Sequence, residues 1–190
     1  MGLNKDRLMA GVGFSAGQAF ALEDVETGLG NLAVRPSGGG SSMNPTGNIF
    51  TFFGSVGNGA DTTEDTLKSF ALPANALDVV GRGVYIYAWG SYANNTNTKA
   101  AKLYFGSETI VGTSGQNVGW ALEMVVGKSA ANVQQVNAQA VVGTSHGGTT
   151  TQAGAETDTA AITIKVTGQD TTSANANAIV LNGIFIQFMN

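Results

Sequence analysis

Alternating apolar and polar residues predict β-strands along most of this chain. Residues 158–168, DTAAITIKVTG, place Ile162, Ile164 and Val166 on one side and polar side chains on the other, as in a strand with one buried face. Similar runs are separated by stretches rich in Gly, Asn, Asp and Thr, which are typical of turns. The predicted strands cover residues 49–56, 66–72, 83–92, 99–106, 119–127, 133–143, 160–168 and 178–189.

The fold class that this pattern predicts is all-β. No amphipathic stretch of helix length interrupts the predicted strands, which argues against alternating strand and helix units. Many short strands joined by turns indicate a sandwich of two sheets. We therefore expect residues 49–190 to form a jelly-roll-like antiparallel β-sandwich.

Two of the predicted strands are apolar on both sides. Residues 83–92 alternate aliphatic with aromatic side chains, and in residues 178–189 we expect Ile179, Leu181 and Phe185 to oppose Val180, Ile184, Ile186 and Phe188. A two-sheet sandwich buries one face of each sheet, so the other apolar face needs a neighbouring subunit or the chain's own arm and loops to cover it. We favour a neighbouring subunit. The residues expected to supply core and subunit contacts are Tyr85, Tyr87, Trp89, Ile184, Ile186 and Phe188.

The beginning of the chain differs from the rest. Asn4 can cap a short helical turn, and Ser15 with Gln18 fits a capping box for a second short helix over residues 16–26. Helices this short need a surface to lie on, so residues 1–29 are predicted to form a helical anchoring arm. Residues 30–48, which contain a Gly-Ser run, are predicted to be a linker. The apolar arm residues expected to contact the surface that anchors it are Leu3, Leu8, Phe14, Phe20 and Leu22.

Composition narrows the classes of function. The 190 residues carry a net charge of −4 and only nine Lys and Arg, which are scattered, so we expect no nucleic-acid partner. The chain has no cysteine, which excludes disulfides and thiolate metal sites. It has no run of 18 apolar residues and no apolar signal segment at its start, so we expect no membrane association.

Candidates for catalysis are few. His146 is the single histidine and follows Ser145, but adjacent residues seldom form a nucleophile–base pair, and no G-x-S-x-G motif is present. The loop carboxylates match no EF-hand spacing, and we expect them to shape turns. We predict that the protein is not an enzyme and uses no cofactor or metal. The carboxylates considered are Asp61, Glu64, Asp65, Glu156 and Asp158.

The aromatic residues have a second interpretation. Tyr85, Tyr87 and Trp89, with Tyr92 and Tyr104 near them in the sequence, could stack against sugar rings. Aromatic side chains are also ordinary core and interface residues, and we favour that role. A host glycan is therefore kept as an alternative partner.

Several motifs resemble those of a β-rich structural protein of tailed-bacteriophage virions. They are LPAN (72–75), AWGSYANN (88–95), KLYFG (102–106) and the closing AITIKVTGQ (161–169) with NAIVLNG (177–183). The resemblance covers about residues 65–188, and LNKDRLMAGVGFSAGQAFAL (3–22) resembles the short helical start of several phage structural proteins. No catalytic residues come with the resemblance.

The resemblance implies a function in the virion, assembled in the bacterial cytoplasm. We expect a non-enzymatic capsid decoration or cement protein, either a head decoration or a head fibre, that forms a homotrimer. Its expected partners are its own copies and the major capsid protein or another virion protein. The alternative is a short tail-fibre or receptor-binding module that recognises a bacterial surface glycan.

Overall fold

The computed structural model describes residues 47–147 and 150–189, and this part of the chain is all-β. Every strand pairing in it is antiparallel, as the alternating pattern predicted. The predicted arm (1–29) and the predicted linker (30–48) up to residue 46 lie outside the described residues. No helix among the described residues is long and apolar enough to cross a membrane.

Eleven strands run through the described residues. Their bounds are β1 Gly47–Gly57, β2 Asp65–Leu72, β3 Gly83–Tyr92, β4 Lys99–Phe105, β5 Glu108–Ser114, β6 Gly119–Ala130, β7 Val133–Val142, β8 Ser145–His146, β9 Thr150–Gly154, β10 Ile162–Asp170 and β11 Ile179–Met189.

The strands form one seven-stranded and one four-stranded sheet. The larger sheet has the order β1-β11-β3-β6-β7-β8, with β9 also paired to β7, and the smaller has the order β2-β10-β4-β5. The pairings are nested, because β1 pairs with β11, β2 with β10, β3 with β6 and β4 with β5. Strands from the two ends of the described chain therefore close around one core.

The core consists of the side chains that the two sheets point toward each other. Val84, Ile86 and Ala88 of β3 are fully buried there, as alternation along a strand requires. The buried hydroxyl of Tyr92 donates a hydrogen bond to the carbonyl of Gly112 (2.6 Å). The largest fully buried side chains are Tyr92, Lys99, Phe105, Leu72, Leu77, Ile86, Leu103, Leu122, Met124, Ile164, Ile179 and Leu181.

All eight predicted strands are present, but β5, β8 and β9 were not predicted. Strand β5 follows β4 after a turn of only Gly106 and Ser107, and Gly106 has the positive φ (56°) that tight hairpin turns need. The sequence prediction placed no strand between residues 106 and 119, so it did not include this hairpin. Strands β8 and β9 are short and pair with opposite ends of β7.

A bulge in β11 corrects the predicted sides of that strand. Ile184 and Ile186 were expected to face away from Ile179 and Leu181, but all four side chains are buried in the core. The register with β3 shifts between Leu181 and Gly183, and the extra residue switches the alternation for the rest of the strand. Phe185 therefore lies on the outer face of the sheet.

A buried ion pair fixes three connections between strands. Lys128 Nζ lies 2.7 Å from Asp158 Oδ2, and both side chains are 7% exposed. Asp158 also accepts hydrogen bonds from the backbone N–H of Asn132 (2.7 Å) and the side-chain amide of Gln134 (2.9 Å). Lys128 donates a further bond to the carbonyl of Asp78 (3.2 Å). The network joins the β2–β3 connection, the β6–β7 turn and the β9–β10 connection.

We predict that Asp158→Ala lowers the free energy of unfolding by about 3–5 kcal/mol, because it leaves the Lys128 ammonium buried without its carboxylate. Urea denaturation followed by tryptophan fluorescence measures this loss. Asp61→Ala is the control, because Asp61 is an exposed loop carboxylate and its removal should change the midpoint far less. Equal losses for the two variants would contradict the structural role of the ion pair.

Candidate functional site

The outer face of the seven-stranded sheet carries a continuous group of aromatic side chains. Trp89 of β3 pairs with Gly183 of β11, and Gly183 pairs with Phe53 of β1. Tyr87 of β3 pairs in the same way with Phe185. Directly paired residues project from the same face, so these rings lie side by side. We call this group the aromatic patch: Phe53, Tyr85, Tyr87, Trp89 and Phe185.

The rings of the aromatic patch contact one another in sequence. Centroid distances are 5.6 Å from Phe53 to Trp89, 5.6 Å from Trp89 to Tyr87, 5.5 Å from Tyr87 to Phe185 and 5.7 Å from Phe185 to Tyr85. These distances lie in the range that favours aromatic pairs. The side chain of Phe53 is 72% exposed, and the other four are half-buried. Contiguous apolar surface of this kind usually marks a contact site.

Gly183 allows the Trp89 ring to lie close to the backbone of β11. A Cβ atom at this position would overlap ring atoms of Trp89, so the indole lies directly over the glycine backbone. With the indole in this position, its ring reaches Phe53 across β11. The sequence signal was the Asn182-Gly183 pair inside a strand pattern, since a glycine in a strand often marks a bulge or a close approach.

The structure separates the six predicted core and contact residues into two groups. The aromatic Tyr85, Tyr87 and Trp89 lie on the outer face, where a partner can reach them. Ile184 and Ile186 are buried in the core. Phe188 is half-buried and also packs against the core. The sequence prediction did not select Phe53 or Phe185, the two members of the aromatic patch that come from β1 and β11.

Polar side chains border the patch on β6 and β7. Glu123 pairs with Tyr87 on one side and with Gln139 on the other, and the Gln139 amide donates a hydrogen bond to its carboxylate (3.1 Å). Burial raises the pKa of Tyr85, and the charge and hydrogen bond of Glu123 raise it further. The outer face is thus aromatic over β1, β11 and β3, and Glu123 of β6 and Gln139 of β7 form a polar pair beside it.

Two edge strands of the sandwich, β1 and β2, carry features that oppose pairing with another chain. Edge strand β1 has two irregularities in its register with β11. On edge strand β2, the Lys68 ammonium lies 4.5 Å from the centre of the Phe52 ring. Bulges and charges placed in this way at edge strands oppose the addition of further strands. Contact with another chain is therefore better served by the aromatic face than by these two edges.

The histidine and serine considered as a catalytic pair do not act together. Ser145 and His146 are the two residues of β8, and neighbouring residues of a strand point to opposite faces. His146 pairs with Val141, in the row of the outer face that includes Trp89. Both residues are exposed, and no hydrogen bond joins them in the described part of the chain.

The loop carboxylates hold the backbone. Asp61 accepts hydrogen bonds from the backbone N–H (2.7 Å) and hydroxyl (2.6 Å) of Thr63, and Asp65 accepts one from the N–H of Gly59 (2.7 Å). Glu156 accepts two from Ser107, from its N–H and its hydroxyl, each of 2.7 Å. With Asp158 in the ion pair described above, these side chains shape the loops, as the sequence predicted.

Glu64 takes part in a polar network on the outer face of the four-stranded sheet. It accepts hydrogen bonds from the hydroxyls of Tyr104 and Thr167, both of 2.7 Å, and pairs with the Lys102 ammonium. Burial acts to raise the pKa of Glu64, but these hydrogen bonds and the charge of Lys102 outweigh it and lower the pKa from 4.5 to about 2. The network connects β4 and β10 to the residue before β2.

Comparison with protein-family models and with curated proteins finds no match to this chain. Within residues 47–147 and 150–189, no three His, Asp or Glu side chains come together in a group that could hold a metal ion. The aromatic patch is therefore the candidate site that the described geometry favours. Exposed apolar rings of this kind bind another molecule by packing against it.

We predict that Glu64 makes stability depend on pH. Its folded pKa is below its unfolded value, so its contribution is present above pH 4.5 and is lost as the pH falls toward 2. Because the side chain is about a quarter exposed, the contribution is of order 1 kcal/mol. Denaturation of wild type and Glu64→Gln should differ at pH 7 and converge near pH 2. A difference of the same size at both pH values would contradict this assignment.

Proposed function

We propose that the protein is a non-enzymatic structural component of a bacteriophage virion, a capsid decoration or cement protein that assembles as a homotrimer. The observation that supports assembly is the aromatic patch. It is a contiguous apolar surface of a kind that soluble monomers rarely expose. Its proposed occupant is a second copy of the chain.

The energetics support contact through this face. Complete burial of one exposed phenylalanine side chain contributes about 1.5–3 kcal/mol, and Phe53 is 72% exposed. The half-buried neighbours add aromatic surface that is already ordered by ring contacts, so less conformational entropy is lost on association. Aromatic residues are also enriched among those that dominate binding at interfaces.

Two observations support the placement in a virion. The sequence motifs resemble those of phage structural proteins, as described above. The nested pairing of β1 with β11, β2 with β10, β3 with β6 and β4 with β5 is the order expected of a jelly roll with the β7–β9 strands inserted. We propose this more specific fold for the sandwich, and the jelly roll is common in viral capsid domains.

The N-terminal arm completes the proposal for a capsid protein. Residues 1–29 would lie on the capsid through Leu3, Leu8, Phe14, Phe20 and Leu22, with residues 30–48 as the tether. Three arms on one trimer would bind together, and linked weak contacts strengthen one another through effective concentration.

We predict that wild-type protein has the mass of a trimer in light scattering at micromolar concentration, and that Phe53→Asp is a folded monomer. A charge at this position opposes burial of the aromatic patch while leaving the core unchanged. Val111→Asp is the matched control, because Val111 is 40% exposed on the smaller sheet. A wild-type monomer, or a Phe53→Asp trimer, would contradict assembly through the patch.

We predict that deletion of residues 1–28 releases the protein from purified particles and leaves the sandwich folded. Mass spectrometry of particles measures the retained protein, and circular dichroism measures the fold. Quantification of wild-type copies should give a number comparable to that of the major capsid protein. Undiminished particle binding by the truncated protein would contradict the anchoring role, and only a few copies would favour a fibre.

The polar border favours a second candidate, a glycan-binding face. Glu123 and Gln139 present a carboxylate and an amide beside the rings of Tyr85 and Tyr87, as a sugar that stacks through its apolar side would require. Under this alternative, Trp89→Ala abolishes binding on a glycan array while the trimer persists. Under the assembly proposal, Trp89→Ala weakens the trimer itself.

A further inference from the structure

A closed trimer places a requirement on the aromatic patch. In a cyclic trimer, contact away from the axis is heterologous, so one surface of each copy meets a different surface of the next. The patch therefore needs a complementary surface elsewhere on the same chain. This inference rests on the proposed trimer and identifies its second contact surface.

The connection between β2 and β3 offers such a surface. Val80 is 61% exposed and Val79 is 43% exposed. Few large apolar side chains are exposed in the described residues, and these two are adjacent in the sequence. The backbone N–H of Arg82 donates to the carbonyl of Val79 (3.1 Å), which closes a tight turn. Gly81 has a φ of 90°, the positive value that the third position of a type II turn needs. We call residues 79–82 the valine turn.

The valine turn is held rigidly. The N–H of Gly81 donates to the carbonyl of Lys128 (2.9 Å), and the N–H of Lys128 donates to the carbonyl of Arg82 (2.8 Å). The Arg82 side chain pairs with Asp78, and Lys128 is itself fixed by its ion pair with Asp158. Two valine side chains are thus presented to solvent on a backbone that is already ordered. A rigid apolar projection loses little entropy when it docks.

The valine turn lies near Tyr85 but too far from Trp89 and Phe53 of its own chain to cover them, because these two share one row across β11. It precedes Gly83 at the start of β3, whereas Trp89 lies six residues further along the same strand, a distance of about 20 Å at the usual rise per residue. The separation places the two apolar surfaces at different positions of one domain. That is the arrangement a head-to-tail contact uses.

We propose that the valine turn of one copy docks on the aromatic patch of the next, so that three identical contacts close the ring. Val79 and Val80 supply the apolar projection, and Phe53 and Trp89 supply the surface that receives it. The irregular register of β1 and the charge of Lys68 on β2 oppose pairing at these two edges, which favours contact through face and loop surfaces.

Disulfide trapping tests this contact directly, because the chain contains no cysteine and only introduced thiols can react. Val80→Cys and Phe53→Cys are prepared as separate proteins, mixed in equal amounts and oxidised. We expect a cross-linked heterodimer between the two variants and little cross-linking of either variant alone. The double variant should give a covalent trimer, since about 20 Å is too far for a disulfide within one chain.

The outcomes separate this inference from the trimer proposal. A trimeric wild type whose Phe53→Cys variant cross-links only to itself would overturn docking by the valine turn and would leave contact through the patch intact. A trimer in which no introduced pair cross-links would also overturn the docking. A wild type that is monomeric by light scattering would overturn the trimer and the docking together. Val111→Cys mixed with Val80→Cys is the matched control and should stay uncross-linked.

Discussion

The structure depends on a geometric limit of the two-sheet sandwich: each sheet can bury only its inner face. In this chain the inner faces are filled mainly with aliphatic side chains, and the outer face of the smaller sheet is polar around Glu64. The outer face of the larger sheet breaks the expected pattern, because strands β1, β11 and β3 add a layer of aromatic rings to it. The proposed assembly follows from this excess of apolar surface.

Much of the fold could be predicted from the sequence, because alternation directly reports which side of a strand is buried. Ile162, Ile164 and Val166 were assigned to the core and lie there. The prediction failed where one residue changed the register. The bulge between Leu181 and Gly183 reverses the alternation of β11, and no periodic pattern continues across such an insertion. The Asn182-Gly183 pair lies at the bulge, but such a pair does not indicate to which side the following residues turn.

The aromatic patch could be predicted only in part for a related reason. Tyr85, Tyr87 and Trp89 share one strand, so their common face follows from spacing alone. Phe53 and Phe185 join them through pairing between strands far apart in the sequence, which local patterns do not specify. The internal roles of Glu64 and Asp158 likewise depend on contacts with Lys102 and Lys128 across sheets and loops. The turn-rich sequence around these carboxylates indicated that they lie in loops. It did not indicate which residues they would pair with.

The most direct test of the account is whether the aromatic patch is covered in solution. Hydroxyl-radical footprinting, followed by mass spectrometry, measures the oxidation rate of each aromatic side chain at increasing protein concentration. The account predicts that Phe53 and Trp89 become protected as copies associate, while Tyr104 on the smaller sheet keeps a constant rate. Oxidation of Phe53 at the rate of a side chain that is 72% exposed, at every concentration, would contradict it.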